Sequence, residues 1–162
     1  MQRLFTDCYC TQFRRSAQAL TVIYDSALKE EGIRITQFSL LRALNRMGSA
    51  TVQELADEVV LDKGTISRNV KVLDAAGWVE FEPTEDQRLK RMKLSKQGAD
   101  KLAIATACWK RAQKKVLKSA LEIFKVPSGD PLINTLEKLQ QLSTAAMEHG
   151  ASPRSPKRRT TR

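Results

Sequence analysis

Apolar positions between Leu4 and Met147 recur mostly at three- and four-residue spacing, which predicts helices; one interval, 78–95, changes to a spacing of two. In the first segment Phe13, Ala17, Leu20, Tyr24 and Ala27 form one stripe, whereas Leu4, Cys8 and Val22 fall on nearly the opposite side. A helix that is apolar on two sides sits between two bodies, and the second body is either another subunit or a later helix of the same chain. Gly32 is placed to close this helix. Thr36 is placed to open a second, ending near Met47 at Gly48.

The next signals are sharper. Thr51-Val52-Gln53-Glu54 fits a capping box, with the Thr51 hydroxyl accepting from the Glu54 amide and the Glu54 carboxylate accepting from the Thr51 amide. It predicts a short helix from Val52 to about Val59. Asp62 then caps a helix from Lys63 to Ala76, and Gly77 stands where a left-handed residue is needed. Two short helices this close together form a helix-turn-helix candidate. Beyond them Val79 and Phe81 alternate with Glu80 and Glu82, and Met92 and Leu94 with Lys93 and Ser95, so a β-hairpin is predicted. Its tip, Pro83 to Lys90, is too long and polar for a two-residue turn and should project as a mobile loop. Ser95 caps a long helix to about Lys125, striped with Leu102, Ala105, Trp109, Ala112, Val116, Ala120 and Ile123. After the break at Val126-Pro127-Ser128-Gly129, Asp130 and Pro131 open a last helix carrying Leu132, Leu136, Leu139 and Leu142. The tail from Gly150 has five Arg or Lys, two Pro and no acid, a composition expected to stay disordered. The fold class is mainly α with a small β-hairpin.

Composition narrows the chemistry. A chain of 162 residues, 41% apolar, has the size of one domain with a real core. Twenty-eight basic against 18 acidic residues leave +10, which suits nucleic acid, an anionic membrane or an acidic partner. No run approaches the roughly 18 to 20 apolar residues of a membrane span, and Asp7, Arg14 and Arg15 stand where a signal peptide needs its hydrophobic stretch, so a cytoplasmic protein without a membrane partner is expected. Three cysteines read as free thiols rather than a disulfide framework. The single histidine, His149, borders the tail, which argues against a hydrolase and against enzyme function generally. No cofactor or metal is implied.

The helix from Lys63 carries the candidate chemistry. Ile66, Val70 and Leu73 share its apolar face, able to pack on Leu55 and Ala56; Gly64, Ser67, Arg68 and Lys71 share the other. Such a face suits a DNA major groove, Gly64 permitting close backbone approach and the polar side chains reaching base edges and phosphates. Arg88, Lys90 and Arg91 on the hairpin tip suit an adjacent minor groove, with Asp86 orienting the Arg88 guanidinium. The rival readings are a solvated basic face, and a protein-interaction module docking an acidic surface without specific DNA binding.

The segments Thr51-Val52-Gln53-Glu54-Leu55-Ala56, Asp62-Lys63-Gly64-Thr65-Ile66-Ser67-Arg68 with Leu73 and Gly77, Asp86-Gln87-Arg88, and Leu94-Ser95-Lys96-Gln97-Gly98 together resemble the winged helix-turn-helix of MarR-type transcriptional regulators. The resemblance covers the chain from about Phe5 to Met147. It implies a cytoplasmic homodimer on a pseudo-palindromic double-stranded operator, and a repressor released by a small-molecule effector or by thiol oxidation. It further implies a dimerisation helix over 1–32, a winged DNA-binding lobe over 33–98, C-terminal dimerisation helices over 99–149 and the basic tail over 150–162. By that resemblance Ser67 and Arg68 occupy recognition positions, Thr65 a phosphate-contacting one, and Asp86 with Arg88 the wing pair; Lys63 and Lys71 are added from helix geometry. In such dimers the recognition helices stand about 34–36 Å apart. Family effector pockets lie between the dimerisation helices and the lobe, near Tyr9, Phe13, Phe38 and Trp109, residues whose rival role is plain core.

Cys8, Cys10 and Cys108 keep three readings open: small buried thiols at a subunit seam, oxidant sensing, and soft-metal binding, the last without the four-ligand spacing of structural zinc. If Cys8 and Cys10 are both helical they lie about 200° apart and do not bridge within one helix, although either could pair with a partner chain.

Overall fold

The computed structural model describes residues 8–83 and 90–124, with side chains described as far as Lys118. Helix α1 spans Tyr9–Leu28 and passes through a single turn of 3-10 helix, Lys29–Glu31, to Gly32. Helix α2, Ile35–Met47, starts one residue before Thr36, because the Asp25 carboxylate of α1 accepts from the Ile35 amide at 2.7 Å. The Gln37 side chain accepts from the Arg34 amide at 2.9 Å. A partner from a neighbouring helix and the local Gln37 cap thus together set the boundary ahead of Thr36.

Strand β1, Ser49–Ala50, was not anticipated, and it leads into helices α3, Val52–Val59, and α4, Lys63–Ala75. The capping box of α3 forms as its sequence requires: Thr51 Oγ1 accepts from the Glu54 amide at 3.2 Å, and Glu54 Oε2 accepts from the Thr51 amide at 2.7 Å. Between the two helices Val60 adopts φ 54°, a left-handed conformation that costs a β-branched residue roughly 1–2 kcal/mol. After α4 the amides of Gly77 and Trp78 donate to the carbonyls of Asp74 and Leu73, with Gly77 at φ 70°, so the glycine ends the helix in a Schellman motif.

Strands β2, Val79–Phe81, and β3, Met92–Leu94, form the expected hairpin, and β1 adds to it, giving an antiparallel sheet in the order β1-β3-β2. In register, Val79 faces Leu94, Phe81 faces Met92, and Ala50 also faces Met92. Helix α5, Lys96–Phe124, begins at Ser95, whose Oγ accepts from the Gly98 amide at 3.0 Å and donates to the Gly77 carbonyl at 2.6 Å. Most of the expected hairpin tip (84–89), the last helix and the basic tail lie outside the described residues.

The described residues as far as Val116 belong to one compact unit, and those from Leu117 onward to a second. The core of the first gathers Leu28, Phe38, Leu40, Leu41 and Leu44 with Leu55, Ile66, Leu73 and Met92, every one at most 1% exposed. Leu102, Ala105, Cys108 and Ala112 bury one stripe of α5. The Tyr24 hydroxyl of α1 donates to Gln113 Oε1 of α5. Further back along α1 the apolar side chains are left uncovered: Val22 is 58% exposed and Phe13 48%. No helix among the described residues is long and apolar enough to cross a membrane.

Candidate nucleic-acid interface

Burial divides α4 as its spacing predicts. Ile66, Val70 and Leu73 are buried, with Leu55 and Ala56 of α3 in the same core, while Lys63, Gly64, Arg68 and Lys71 are exposed and Thr65 and Ser67 half-buried. The packed face holds the helix rigidly against the lobe and leaves a basic face free to meet a partner.

That face is organised at its N-terminal end by one acid. Asp62 Oδ1 accepts from the Thr65 amide at 2.8 Å, the cap expected from sequence, and Oδ2 accepts from the Thr65 hydroxyl at 2.6 Å. Thr65 Oγ1 in turn accepts from the Arg68 guanidinium at 3.1 Å. Direction matters here: the hydroxyl proton of Thr65 is committed to Asp62, so its oxygen presents a lone pair to Arg68. The guanidinium is thereby held before any ligand arrives. The Thr65 hydroxyl and amide, followed by the Arg68 charge, keep the Asp62 carboxyl below the ordinary aspartate range. The Asn69 side chain closes the turn by donating to the Thr65 carbonyl at 2.9 Å. Sequence reasoning identified Asp62 only as a cap; the spacing 62, 65, 68 along one helix edge was the signal for its second role.

Asp86 and Arg88 of the expected wing pair lie outside the described residues. Lys90 is exposed. Arg91, expected on the projecting tip, instead sits half-buried at the base of β3, with its guanidinium turned onto β1 and α3. Its side-chain partners are 37 and 42 residues away in sequence, and no local pattern announces them.

The four residues proposed for an effector pocket are not gathered together. Phe38 and Trp109 stack with centroids 5.8 Å apart, and the Arg42 guanidinium lies 4.5 Å over the Trp109 ring. A cavity of about 430 Å³ opens beside them, lined by Ser39, Arg42, Asn45, Arg46 and Thr106 among others. Arg46 is paired with Glu58 across it. Tyr9, 82% exposed, and Phe13 stand near the start of α1, outside that stacked pair. Sequence reasoning missed Arg42, although its position four residues after Phe38 puts both on one side of α2.

The cysteines are likewise separated. Cys8 and Cys10 are exposed near the start of α1, whereas Cys108 is buried in the core. Cys108 donates to Glu31 at 3.8 Å and accepts from Arg111 at 3.0 Å. Glu31 lies beyond the far end of α1, whose 20 residues span roughly 30 Å. Among the described residues no three His, Cys, Asp or Glu side chains are grouped to hold a metal ion. Cys8 precedes the helix in an extended conformation, φ −73° and ψ 107°, so the 200° separation computed for two helical cysteines does not apply. Hydrogen bonds from the side chain and amide of Thr11 lower the Cys8 thiol below its ordinary pKa.

Comparison with known proteins bears on this geometry. A model of the MarR family matches residues 31–88, which include both helices of the helix-turn-helix and the candidate wing only as far as Arg88. Over 90 residues the chain is 29% identical to an uncharacterized HTH-type transcriptional regulator of Bacillus subtilis, YwoH, covering 56% of this chain and 66% of that protein. Over 92 residues it is 27% identical to the HTH-type transcriptional regulator SarZ of Staphylococcus epidermidis, covering 56% and 62%. The chain thus spans less than two thirds of the length of these two relatives. Among solved structures it resembles the M. tuberculosis transcriptional regulator MosR in complex with DNA, with a TM-score of 0.74 and 30% identity, covering 86% of this chain and 98% of MosR.

Proposed function

The chain belongs to the MarR family, and on that premise we propose that it is a homodimeric, sequence-specific DNA-binding transcriptional regulator acting as a repressor in the cytoplasm. The observation that carries this reading is the exposed basic face of α4, with Arg68 already held by Thr65 and Asp62. A guanidinium ordered in the free protein loses little side-chain entropy on meeting a base edge, and Gly64 beside it leaves room for close backbone approach. Lys63, Ser67 and Lys71 share the same side of the helix and serve phosphates and bases, with Arg88, oriented by Asp86, and Lys90 reaching an adjacent minor groove. The uncovered apolar side chains of α1 support a second copy of the chain as the missing cover, and a two-fold dimer calls for a pseudo-palindromic operator.

Two routes of release are part of the proposal. The exposed Cys8, its thiol tuned toward thiolate, supports oxidation as a signal, with Cys10 two residues away. The cavity beside Phe38, Arg42 and Trp109 supports a small-molecule effector. The test is titration of the protein with duplex from its own upstream region, against unrelated competitor, over a range of salt. Sequence preference with a steep salt slope is expected; equal affinity for every duplex refutes the reading.

A further inference from the structure

Arg91 stands where three parts of the lobe meet. Its backbone continues the hairpin, the Arg91 carbonyl accepting from the Glu82 amide at 2.9 Å beyond the β2–β3 pairing. Its side chain crosses to the opposite edge of β3. There Nε donates to Ser49 Oγ at 3.2 Å, one terminal nitrogen donates to the Ser49 carbonyl at 2.9 Å, and the other meets the Glu54 carboxylate at 3.1 and 3.2 Å. Every guanidinium nitrogen is therefore occupied. Glu54 is itself the capping-box acid of α3, so one carboxylate receives both the Thr51 amide and Arg91.

We infer that Arg91 is a positioning residue: a strut that sets the angle of the hairpin on the helix-turn-helix, and not a contact to DNA phosphate. The inference rests on the DNA-binding reading above. Strands β1 and β3 share only the pairs Ser49 with Lys93 and Ala50 with Met92, a ladder too short to set the angle of the hairpin by itself, and the buried Val79 and Met92 anchor only the base of the hairpin. Arg91 adds a rigid planar fork at the end of that ladder and ties it to the first turn of α3. The hairpin and the recognition helix then reach a duplex as one body, and the cost of fixing their relative angle is met during folding. An arginine spent in this way does not displace a counterion from DNA.

The test uses Arg91→Gln, Arg91→Lys and Glu54→Gln, the last chosen because a glutamine at this position still accepts from the Thr51 amide. Operator affinity is measured as a function of salt for each variant. A strut requires Gln and Lys at position 91 to weaken binding alike, by roughly five- to tenfold, since an ammonium cannot reach three acceptors at once, with the salt slope of the parent retained. A phosphate contact would behave otherwise: Lys would keep parental affinity, and Gln would flatten the slope by about 0.9. That result, or unchanged affinity in both variants, overturns the inference. Should the parent bind no duplex, the DNA-binding reading falls, and the strut is judged on the free protein. Arg91→Gln is expected to lower the melting midpoint by about 2–4 °C in the parent and by clearly less in the Glu54→Gln background, where only the two bonds to Ser49 are left to lose. Equal shifts in both backgrounds overturn it.

Discussion

Gly98 is the position where adding one methyl group should do the most damage. It is buried in the first turn of α5, where its backbone lies against the residue that starts the hairpin. A Cβ at this position would stand 1.9 Å from the Trp78 carbonyl oxygen and 2.8 Å from its carbon. To reach the roughly 3.3 Å at which carbon and carbonyl oxygen ordinarily meet, the two backbones must separate by about 1.4 Å. The same Trp78 carbonyl accepts from the Ser95 amide at 3.1 Å, and the Ser95 side chain caps α5, so the separation pulls on the junction between sheet and helix. Overpacking of this kind costs about 1–3 kcal/mol, and loss of the bond about 1 kcal/mol more. The better helix propensity of alanine returns at most about 1 kcal/mol. The net loss for Gly98→Ala is about 1–3 kcal/mol, a fall in melting midpoint of roughly 3–10 °C for a chain of this size. Calorimetric melting at one fixed protein concentration tests this, with hydrogen exchange at the Ser95 amide as the local reading. A variant that melts within about a degree of the parent, with Ser95 equally protected, would refute the reasoning.

Gly64→Ala should be far milder for the fold: its added Cβ stands 3.1 Å from Asp62 Oδ1, the oxygen that caps the Thr65 amide, so that side chain must give by a few tenths of an ångström, and melting should change little while operator affinity falls. Unchanged affinity would show that close approach at Gly64 is not used. Thr65→Val keeps the shape but removes the hydroxyl between Asp62 and Arg68; operator binding should drop about tenfold, the worth of one charge-assisted bond, with a smaller loss on unrelated duplex. Equal losses on both would place Thr65 at phosphate instead. For Cys8, a lowered thiol pKa means that thiolate accumulates at lower pH than for an ordinary cysteine. The pH profile of its alkylation, followed by mass spectrometry, should therefore have its midpoint below that of an ordinary cysteine in a short peptide. A midpoint at or above that value would contradict the Thr11 hydrogen bonds. Buried Cys108 should stay unmodified until the protein unfolds.

What was legible in the sequence is what short-range chemistry decides. Thr51 with Glu54, Asp62, Gly77 and Ser95 mark helix ends because a cap and its hydrogen-bond partner lie within three or four residues, and all four do so in the structure. The apolar face of α4 follows from the helical repeat alone, and so does the basic face opposite it. Other features had no local cause and belonged to the tertiary structure. Ser49–Ala50 is a strand only because β3 offers it an edge; two residues carry no period to read. Helix α2 starts ahead of Thr36 with the help of Asp25, ten residues before Ile35, whose carboxylate joins the local Gln37 cap there. Arg91 looked like one more cation on a basic loop, and only folding brings Ser49 and Glu54 to it, so that a charge free in the sequence is consumed in the structure. The physical reason is range: a cap or a helical stripe is complete within a few residues, whereas the partner of an exposed charge or of a strand edge is chosen by how distant segments pack.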